Sequence, residues 1–414
     1  MNFKNVNNIY IPEGVVSKIT TLEGVVLWKR GVEPDYPDVP DLPIPLANEI
    51  IYVTTNNTKL VNLVGSGYFR SNVYYENLNY GIIINDYNKL SHDCFRVIKN
   101  YIYMNNEQLK IVVLNDSITE IQECVFQDCI SLTSISIPNS VTIIGNKVFY
   151  NCSSLTSIDL PNNLLSLGTE AFYGCSSLKT LTIPDSINNL DMSSLCYGCT
   201  SLESLIIPES AYIIDFDIKE LNMTNCCFGC SSLTSIVIPD GIEKLVIGKC
   251  FKNCTSLNSV ILPNSIKYLT GMYAFQNCSS LETIQLPNQI TILERYLFYY
   301  CTGLKYIVIP DSVTLIEDSV FESCTSLENV VIGKSVTRIK EDTFRDCTSL
   351  RSITCKAMQA PELYDIYNNI FENVGTDVPE GTPKILRIPQ NAQGYDTWLN
   401  QLGEGWTIEY ITQE

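Results

Sequence analysis

Apolar residues in the middle of this chain follow two periods at once. Locally, Ile135 and Ile137 flank Ser136 and follow Leu132, the two-residue rhythm of a strand with one buried face. On a longer scale the whole arrangement repeats. The run Cys-Ile-Ser-Leu-Thr-Ser-Ile-Ser-Ile-Pro-Asn-Ser-Val-Thr-Ile-Ile opens at Cys129, and its counterparts open at Cys152, Cys175, Cys199, Cys230, Cys254, Cys278, Cys301, Cys324 and Cys347. The intervals are 23 or 24 residues, except for 31 between Cys199 and Cys230. A half unit without the cysteine precedes them, with Leu109, Val112, Leu114, Ile118, Ile121 and Phe126 in the matching places.

Each unit reads as one coil of a solenoid. Pro138 ends the strand because it has no N–H to give a ladder, and Asn139-Ser140 supply turn chemistry. Val141 and Ile144 begin a second inward-facing segment, and Phe149 fills the far end of the coil. The stretch before the next cysteine is too short for a helix, so short strands and 3₁₀ turns are predicted there. A lone coil buries too little to offset an ordering cost of roughly 1.5 kcal/mol per residue, whereas stacked coils share ladders and cover one another. About ten coils at about 4.8 Å each predict a ladder roughly 50 Å long. One cysteine per coil marks a core position, since free Cys packs as a small hydrophobe.

The pattern Asn-Cys-x-Ser-Leu-x-x-Ile-x-Ile-Pro-x-Ser-Val-x-x-Ile, closed by a Phe, resembles the BspA-type leucine-rich repeat of bacterial surface proteins, over about residues 109–355. The tail from Leu386-Arg387-Ile388-Pro389 through Tyr395, Trp398 and Trp406 to Ile411 resembles that family's closing segment. The resemblance implies a right-handed, β-rich leucine-rich-repeat solenoid, capped at both ends. It also implies a non-enzymatic scaffold at the cell surface, adhesin-like, whose partner is a host or bacterial protein or a glycan. The chain departs from the pattern at Cys196 and Cys227, where Phe is expected, at Gly333, which replaces the Pro, and around 215–225, where an insertion breaks the period.

The flanks divide into segments of different character. Residues 1–30 contain an expected β-hairpin, Val15–Thr20 with Val25–Lys29, read as an attachment segment. Residues 31–47, with Pro34, Pro37, Pro40, Pro43 and Pro45 among Asp35, Asp38 and Asp41, read as a semi-rigid acidic linker. Residues 48–108 read as degenerate coils or a β-rich N-terminal cap, with strand-like runs at Glu49–Thr54, Gly81–Asn85 and Val97–Met104. Its tyrosines (Tyr68, Tyr74, Tyr75, Tyr80, Tyr87, Tyr101, Tyr103) suit either a packed cap or a contact surface. Residues 356–414 read as the C-terminal cap. A hairpin carried on such a linker supports an alternative function, as a structural component of a phage or secretion appendage docked through the hairpin.

Composition narrows the partners. The chain has 414 residues and a formal net charge of -18. Such an acidic surface repels phosphate backbones and anionic lipid headgroups, which argues against nucleic acid and against membrane insertion. No apolar run approaches the roughly 20 residues needed to cross a bilayer, and the start lacks the apolar core of a signal peptide. Cytoplasmic expression or appendage assembly therefore stands beside the cell-surface expectation. Seventeen cysteines is an odd number, and their spacing follows the repeat rather than a disulfide framework.

Little in the sequence suggests chemistry. The single histidine, His92, lies two residues from Cys94 with no third group nearby in sequence. Cys196…Cys199 and Cys227…Cys230 have the C-x-x-C spacing of zinc ligands, but Cys199 and Cys230 belong to the repeat and Cys196 and Cys227 occupy the Phe slot. Core filling is the expected role of all four; no metal, cofactor or catalytic residue is assigned.

The outward position between the two inward residues of each strand is more telling. It reads Ser136, Asp159, Thr182, Ile206, Val237, Ile261, Gln285, Val308, Val331 and Thr354, polar at first and then mostly apolar. A column of β-branched residues on a solvent face makes a contiguous apolar stripe of the kind that marks interaction sites. Ile206, Val237, Ile261, Val308 and Val331, bordered by Tyr306, are the candidate partner-binding residues; strand propensity alone, or a face covered by the 215–225 insertion, is the competing reading.

Overall fold

The computed structural model describes residues 97–412, apart from 99, 102, 108, 115–117, 188–189, 216, 365 and 368, and also strands Lys18–Thr20, Val26–Lys29, Ile50–Thr54 and Tyr80–Ile84. The chain divides into Met1–Asn48 and Glu49–Glu414. In the first unit Lys18–Thr20 pairs antiparallel with Val26–Lys29, in the register Lys18 to Lys29. The acidic linker, His92, Cys94, Tyr68, Tyr74, Tyr75 and Tyr87 lie outside the described residues.

The second unit is a parallel β-solenoid of about 13 turns. Each turn contributes one short strand to a first ladder and a shorter one to a second. In the first ladder Thr283–Gln285, Tyr306–Val308, Asn329–Ile332, Ser352–Cys355, Lys384–Pro389 and Trp406–Ile411 lie side by side in parallel. The second ladder stacks Ile292–Leu293, Leu315–Ile316, Arg338–Lys340 and Glu362–Tyr364 in the same way. Register follows the repeat: Ile284, Ile307, Val330 and Ile353 stand over one another and all point inward. A one-residue slip would turn that column to solvent, so burial fixes the pairing.

Three inner columns run the length of the array. In one, Tyr103, Phe126, Phe149 and Phe172 stack with ring centroids 5.5–5.7 Å apart, and Phe251, Phe275, Phe298, Phe321, Phe344 and Phe371 continue it at 5.3–5.8 Å. The second is the leucine column, Leu132 through Leu350, fully buried throughout. The third is cysteine. Cys152 Sγ donates to the Phe126 carbonyl at 3.1 Å, Cys175 to Phe149 at 3.1 Å and Cys278 to Phe251 at 3.1 Å, each reaching the carbonyl at the Phe slot of the preceding turn. That carbonyl already accepts its own turn's cysteine N–H, as Phe126 does from Cys129. The thiol engages its second lone pair. This gives the repeat a reason to use cysteine where alanine or valine would fill similar space.

The connection after the second strand is a pair of tight turns, in keeping with the short turns expected there. Gln127 N–H donates to the Cys124 carbonyl and Cys129 N–H to Phe126, each closing one turn. Residues two before and two after the Phe slot take left-handed backbone angles in turn after turn: Lys147 (φ 57) and Asn151 (φ 56), Tyr296 (φ 61) and Tyr300 (φ 59). Non-glycine residues there bear a conformational cost. Backbone hydrogen bonds to the next turn, such as Lys147 N–H to Thr169 and Asn151 N–H to Tyr173, hold them in place.

The 24-residue turns carry their extra residue in the second strand. In a 23-residue turn the last inward residue of that strand is five before the Phe slot, as with Leu167 and Phe172; in 24-residue turns it is six before, as with Leu245 and Phe251. Alternation then points another side chain inward. Met192 and Met223 occupy that position in the turns where Cys196 and Cys227 replace Phe, and all four are fully buried. In the Phe251 turn the same position is Ile247, and in the Phe275 turn it is Gly271. In the Met192 and Met223 turns the long inward side chain lies in the same turn as a small slot residue.

The array exceeds ten coils at both ends. Tyr80–Ile84 pairs parallel with Leu109–Leu114, Val97–Ile98 pairs with Glu120–Ile121, and Tyr103 takes the Phe slot, 5% exposed. Tyr103 is thus a core residue, not a surface contact, whereas Tyr101 is exposed. Ile50–Thr54 lies antiparallel on Tyr80–Ile84. At the other end Trp398, in helix Asp396–Leu402, follows Phe371 at 5.6 Å and donates its indole N–H to the Pro361 carbonyl. Tyr395 donates its hydroxyl to the Ala357 carbonyl at 2.7 Å.

The insertion forms an antiparallel hairpin, Ile213–Asp215 with Ile218–Asn222, whose second arm joins the second ladder beside Lys244–Val246.

Candidate protein-binding surface

Strand geometry sends alternate side chains outward from the first ladder in two parallel rows. One is largely hydroxyl-bearing: Thr180, Ser204, Ser235, Ser259 and Thr283, then Tyr306 and Asn329. The other holds the stripe. Ile206 and Val237 are each 54% exposed and Ile261 55%, whereas Val308 is 39% exposed, Tyr306 43% and Val331 half-buried. Register brings Val237 beside Ile261, Gln285 beside Val308 and Val308 beside Val331, with Tyr306 next to Asn329 in the neighbouring row. The hairpin at Ile213–Asn222 belongs to the second ladder, so it does not extend the first ladder's sheet.

Charge borders these rows. Lys305 pairs with Glu282 at 2.8 Å and Arg351 with Glu328 at 2.9 Å, each between equivalent positions of adjacent turns. Lys340 pairs with Glu317 and Lys244 with Glu220 in the same manner on the other side of the coil. Exposed pairs of this kind contribute little stability each, about 0–1 kcal/mol. Their effect is to neutralise the surface locally.

A second outward feature was missed in the sequence. Tyr150, Tyr173, Tyr197 and Phe228 follow the Phe slot by one residue and stack face to face at 4.5 Å. The Lys252 ammonium covers Phe228 and also lies 5.4 Å from the Tyr273 ring, which stacks on Tyr296 at 4.4 Å. Successive rings occupy one another's faces, so this ribbon presents edges rather than platforms. Its signal was available, because three of its members recur at 23- or 24-residue spacing.

The thiols are enclosed in the core, where Cys226 alone is pulled below its ordinary value among those described, by hydrogen bonds from the Cys196, Cys227 and Cys250 side chains. All sixteen cysteines described are free and buried. Burial pushes the Cys129 and Cys301 thiols up to about 12, and Cys175, Cys278 and Cys324 well above their ordinary value. Cys199 and Cys230 are engaged with the Phe172 and Cys196 carbonyls. Among the described residues no group of three or more His, Cys, Asp or Glu side chains is arranged to hold a metal ion. A shallow depression on the second ladder is lined by Thr314, Leu315, Thr337, Arg338 and Glu362, the last two paired with each other at 2.8 Å. Among the described residues no helix is long and apolar enough to cross a membrane.

A model of the BspA-type leucine-rich repeat region matches residues 96–218, 221–351 and 270–392, in six copies. The solved structure of a leucine-rich repeat protein from Bacteroides ovatus is 24% identical, with a TM-score of 0.52, covering 90% of this chain and 100% of that one. A leucine-rich cell surface protein from Faecalibacterium prausnitzii is 25% identical over 73% of this chain and 94% of its own, with a TM-score of 0.38. The pneumococcal vaccine antigen PcpA is 20% identical over 74% and 80%, with a TM-score of 0.43. No curated protein matches the sequence significantly. With its cysteine, leucine and phenylalanine columns in register and the repeat model spanning most of its length, the chain belongs to the BspA-type leucine-rich repeat family.

Proposed function

We propose that this chain is a cell-surface, adhesin-like scaffold that meets a protein partner through the outward side of its first ladder. The family's repeats generally serve as non-enzymatic scaffolds for protein interaction. The observation that carries the finer reading is the apolar stripe: Ile206, Val237 and Ile261 lie more than half exposed on a sheet face, where water would otherwise favour polar side chains. A parallel sheet holds these side chains in fixed positions, so little ordering entropy is lost when a partner covers them.

The test places a photo-crosslinking residue singly at positions 237 and 308 of the first ladder, and at 268 and 292 of the second. The full chain is then presented to intact bacterial cells and to host extracellular matrix proteins. Crosslinked products should form from 237 or 308 and not from 268 or 292. Equal yields from both ladders, or products from the second alone, would remove the reading.

A further inference from the structure

The two halves of the stripe differ in what surrounds them. In the half built by Ile206, Val237 and Ile261, the corner three residues beyond the outward position carries Asp185, Glu209, Asp240 and Asn264 in successive turns. Asp185, Glu209 and Asp240 are exposed, and among the described residues their carboxylates make no ion pair and no hydrogen bond; the Lys219 ammonium, over the Tyr212 ring, is the cation beside the Asp240–Gly241 corner. This is not the rule at that corner. The Asn264 side chain accepts the Asn288 N–H, and the Asp311 carboxylate accepts the Lys334 N–H. On the opposite border Glu203 is a further exposed carboxylate, and Lys179 is the cation nearest to it along that row.

The other half is electrically closed. Glu282 and Glu328 are held by Lys305 and Arg351, and Asp311 lies 3.7 Å from Lys356. Its apolar positions are also less exposed, and Gln285 interrupts them. One fold thus carries two neighbouring surfaces, one with its charges compensated within the chain and one with them left open beside the most exposed aliphatic side chains.

We propose that the half of the first ladder from Thr180 to Asn264 is a docking face for a cationic protein segment, one that carries apolar side chains beside lysine or arginine. The proposal rests on the reading that the first ladder meets a protein, and adds which half is used and what the partner's chemistry is. Charge complementarity selects the occupant. The open carboxylates stand at equivalent corners of adjacent turns, whose strands are about 4.8 Å apart and so inside a Debye length of about 8 Å, and a cationic segment gains from several at once. The aliphatic row gains from leaving water. A divalent ion would satisfy neither demand, because the carboxylates stand in separate turns and among the described residues no three converge. An anionic partner, or a second copy of a chain of net charge -18, would meet repulsion here.

The experiment measures fluorescence anisotropy of three labelled peptides with the full-length chain at about 0.15 M salt. The first peptide alternates lysine and leucine, the second has glutamate for each lysine, and the third has serine for each leucine. The first should bind, and the other two should bind at least about tenfold more weakly. The combined change Ile206→Ser, Val237→Ser and Ile261→Ser should weaken the first peptide by about tenfold or more, as should Asp185→Asn, Glu209→Gln and Asp240→Asn together. Val308→Ser with Val331→Ser should leave it within about twofold. Where a triple variant lowers the melting temperature, Ile261→Ser and Asp240→Asn are read alone. Equal loss from the 308/331 variant, insensitivity to the carboxylate changes, or no binding of the first peptide would each overturn the proposal. If those results came with crosslinking from position 237 or 308, only the cationic partner would fall; absence of crosslinking from both would remove the underlying reading as well.

Discussion

Truncation of Phe298 to alanine probes the column on which the stacked turns depend. The ring is fully buried and lies 5.4 Å from Phe275 and 5.6 Å from Phe321, nearly parallel to both. Loss of a buried Phe side chain costs about 3–5 kcal/mol, the higher values arising where the surroundings do not collapse. Collapse is resisted here. Phe275 N–H donates to the Leu297 carbonyl and Phe298 N–H to Val320, so the backbone holds the turns apart at a fixed spacing. Two ring contacts worth about 0.5–1.5 kcal/mol each are also lost. The expected cost is therefore near the top of the range, about 5 kcal/mol, while Phe298→Leu should cost about 1–2 kcal/mol. Native-state hydrogen exchange is the suitable assay, because an array of nearest-neighbour contacts opens locally. Protection should fall in the turns around Phe275, Phe298 and Phe321 and persist near Phe149. A loss below about 1 kcal/mol, or one spread evenly along the chain, would refute the stacked-column account.

Three further outcomes are expected. Val308→Asp should leave the urea midpoint within about 0.5 kcal/mol of the parent. Ile307→Asp or Ile284→Asp should abolish cooperative unfolding by burying an unpaired charge; the reverse order would invert the face assignment. Cys196→Phe should overpack its turn by about 1–3 kcal/mol and Met192→Ala should cost about 2–5 kcal/mol, yet the double variant should recover part of the sum, with a coupling of at least about 1 kcal/mol in a double-mutant cycle. Finally, Cys129 and Cys301 are raised from 9.0 to about 12 in the fold. Their stabilising effect is therefore complete below pH 9 and declines as pH rises toward 12, by up to about 1.4 kcal/mol per pH unit for each thiol; a stability flat across that window, measured by urea unfolding, would contradict their burial.

Much of the architecture is written in the order of residues. A period of 23 or 24 forces equivalent positions to stack, so the Leu132, Phe149 and Cys152 columns and the outward side of Ile206 and Val308 could be read directly from spacing. The Phe-slot substitutions at Cys196 and Cys227 were legible for the same reason. What the spacing did not reveal depended on neighbours in the next turn. The thiol's acceptor is a carbonyl of the preceding coil, invisible to a residue pattern. The ends were undercounted because Tyr103, Phe371 and Trp398 fill the Phe slot without the cysteine motif; only backbone pairing reveals their equivalence. Met192 and Met223 look like ordinary surface-strand residues until the added residue in the second strand turns them inward against a slot left small. The docking face divides likewise. Sequence marks its aliphatic column, but the compensation of Glu282 and the openness of Glu209 and Asp240 depend on which side chains meet across turns. Periodicity dictates which positions are stacked; packing density and charge pairing, which act between turns rather than along the chain, decide what each stack can do.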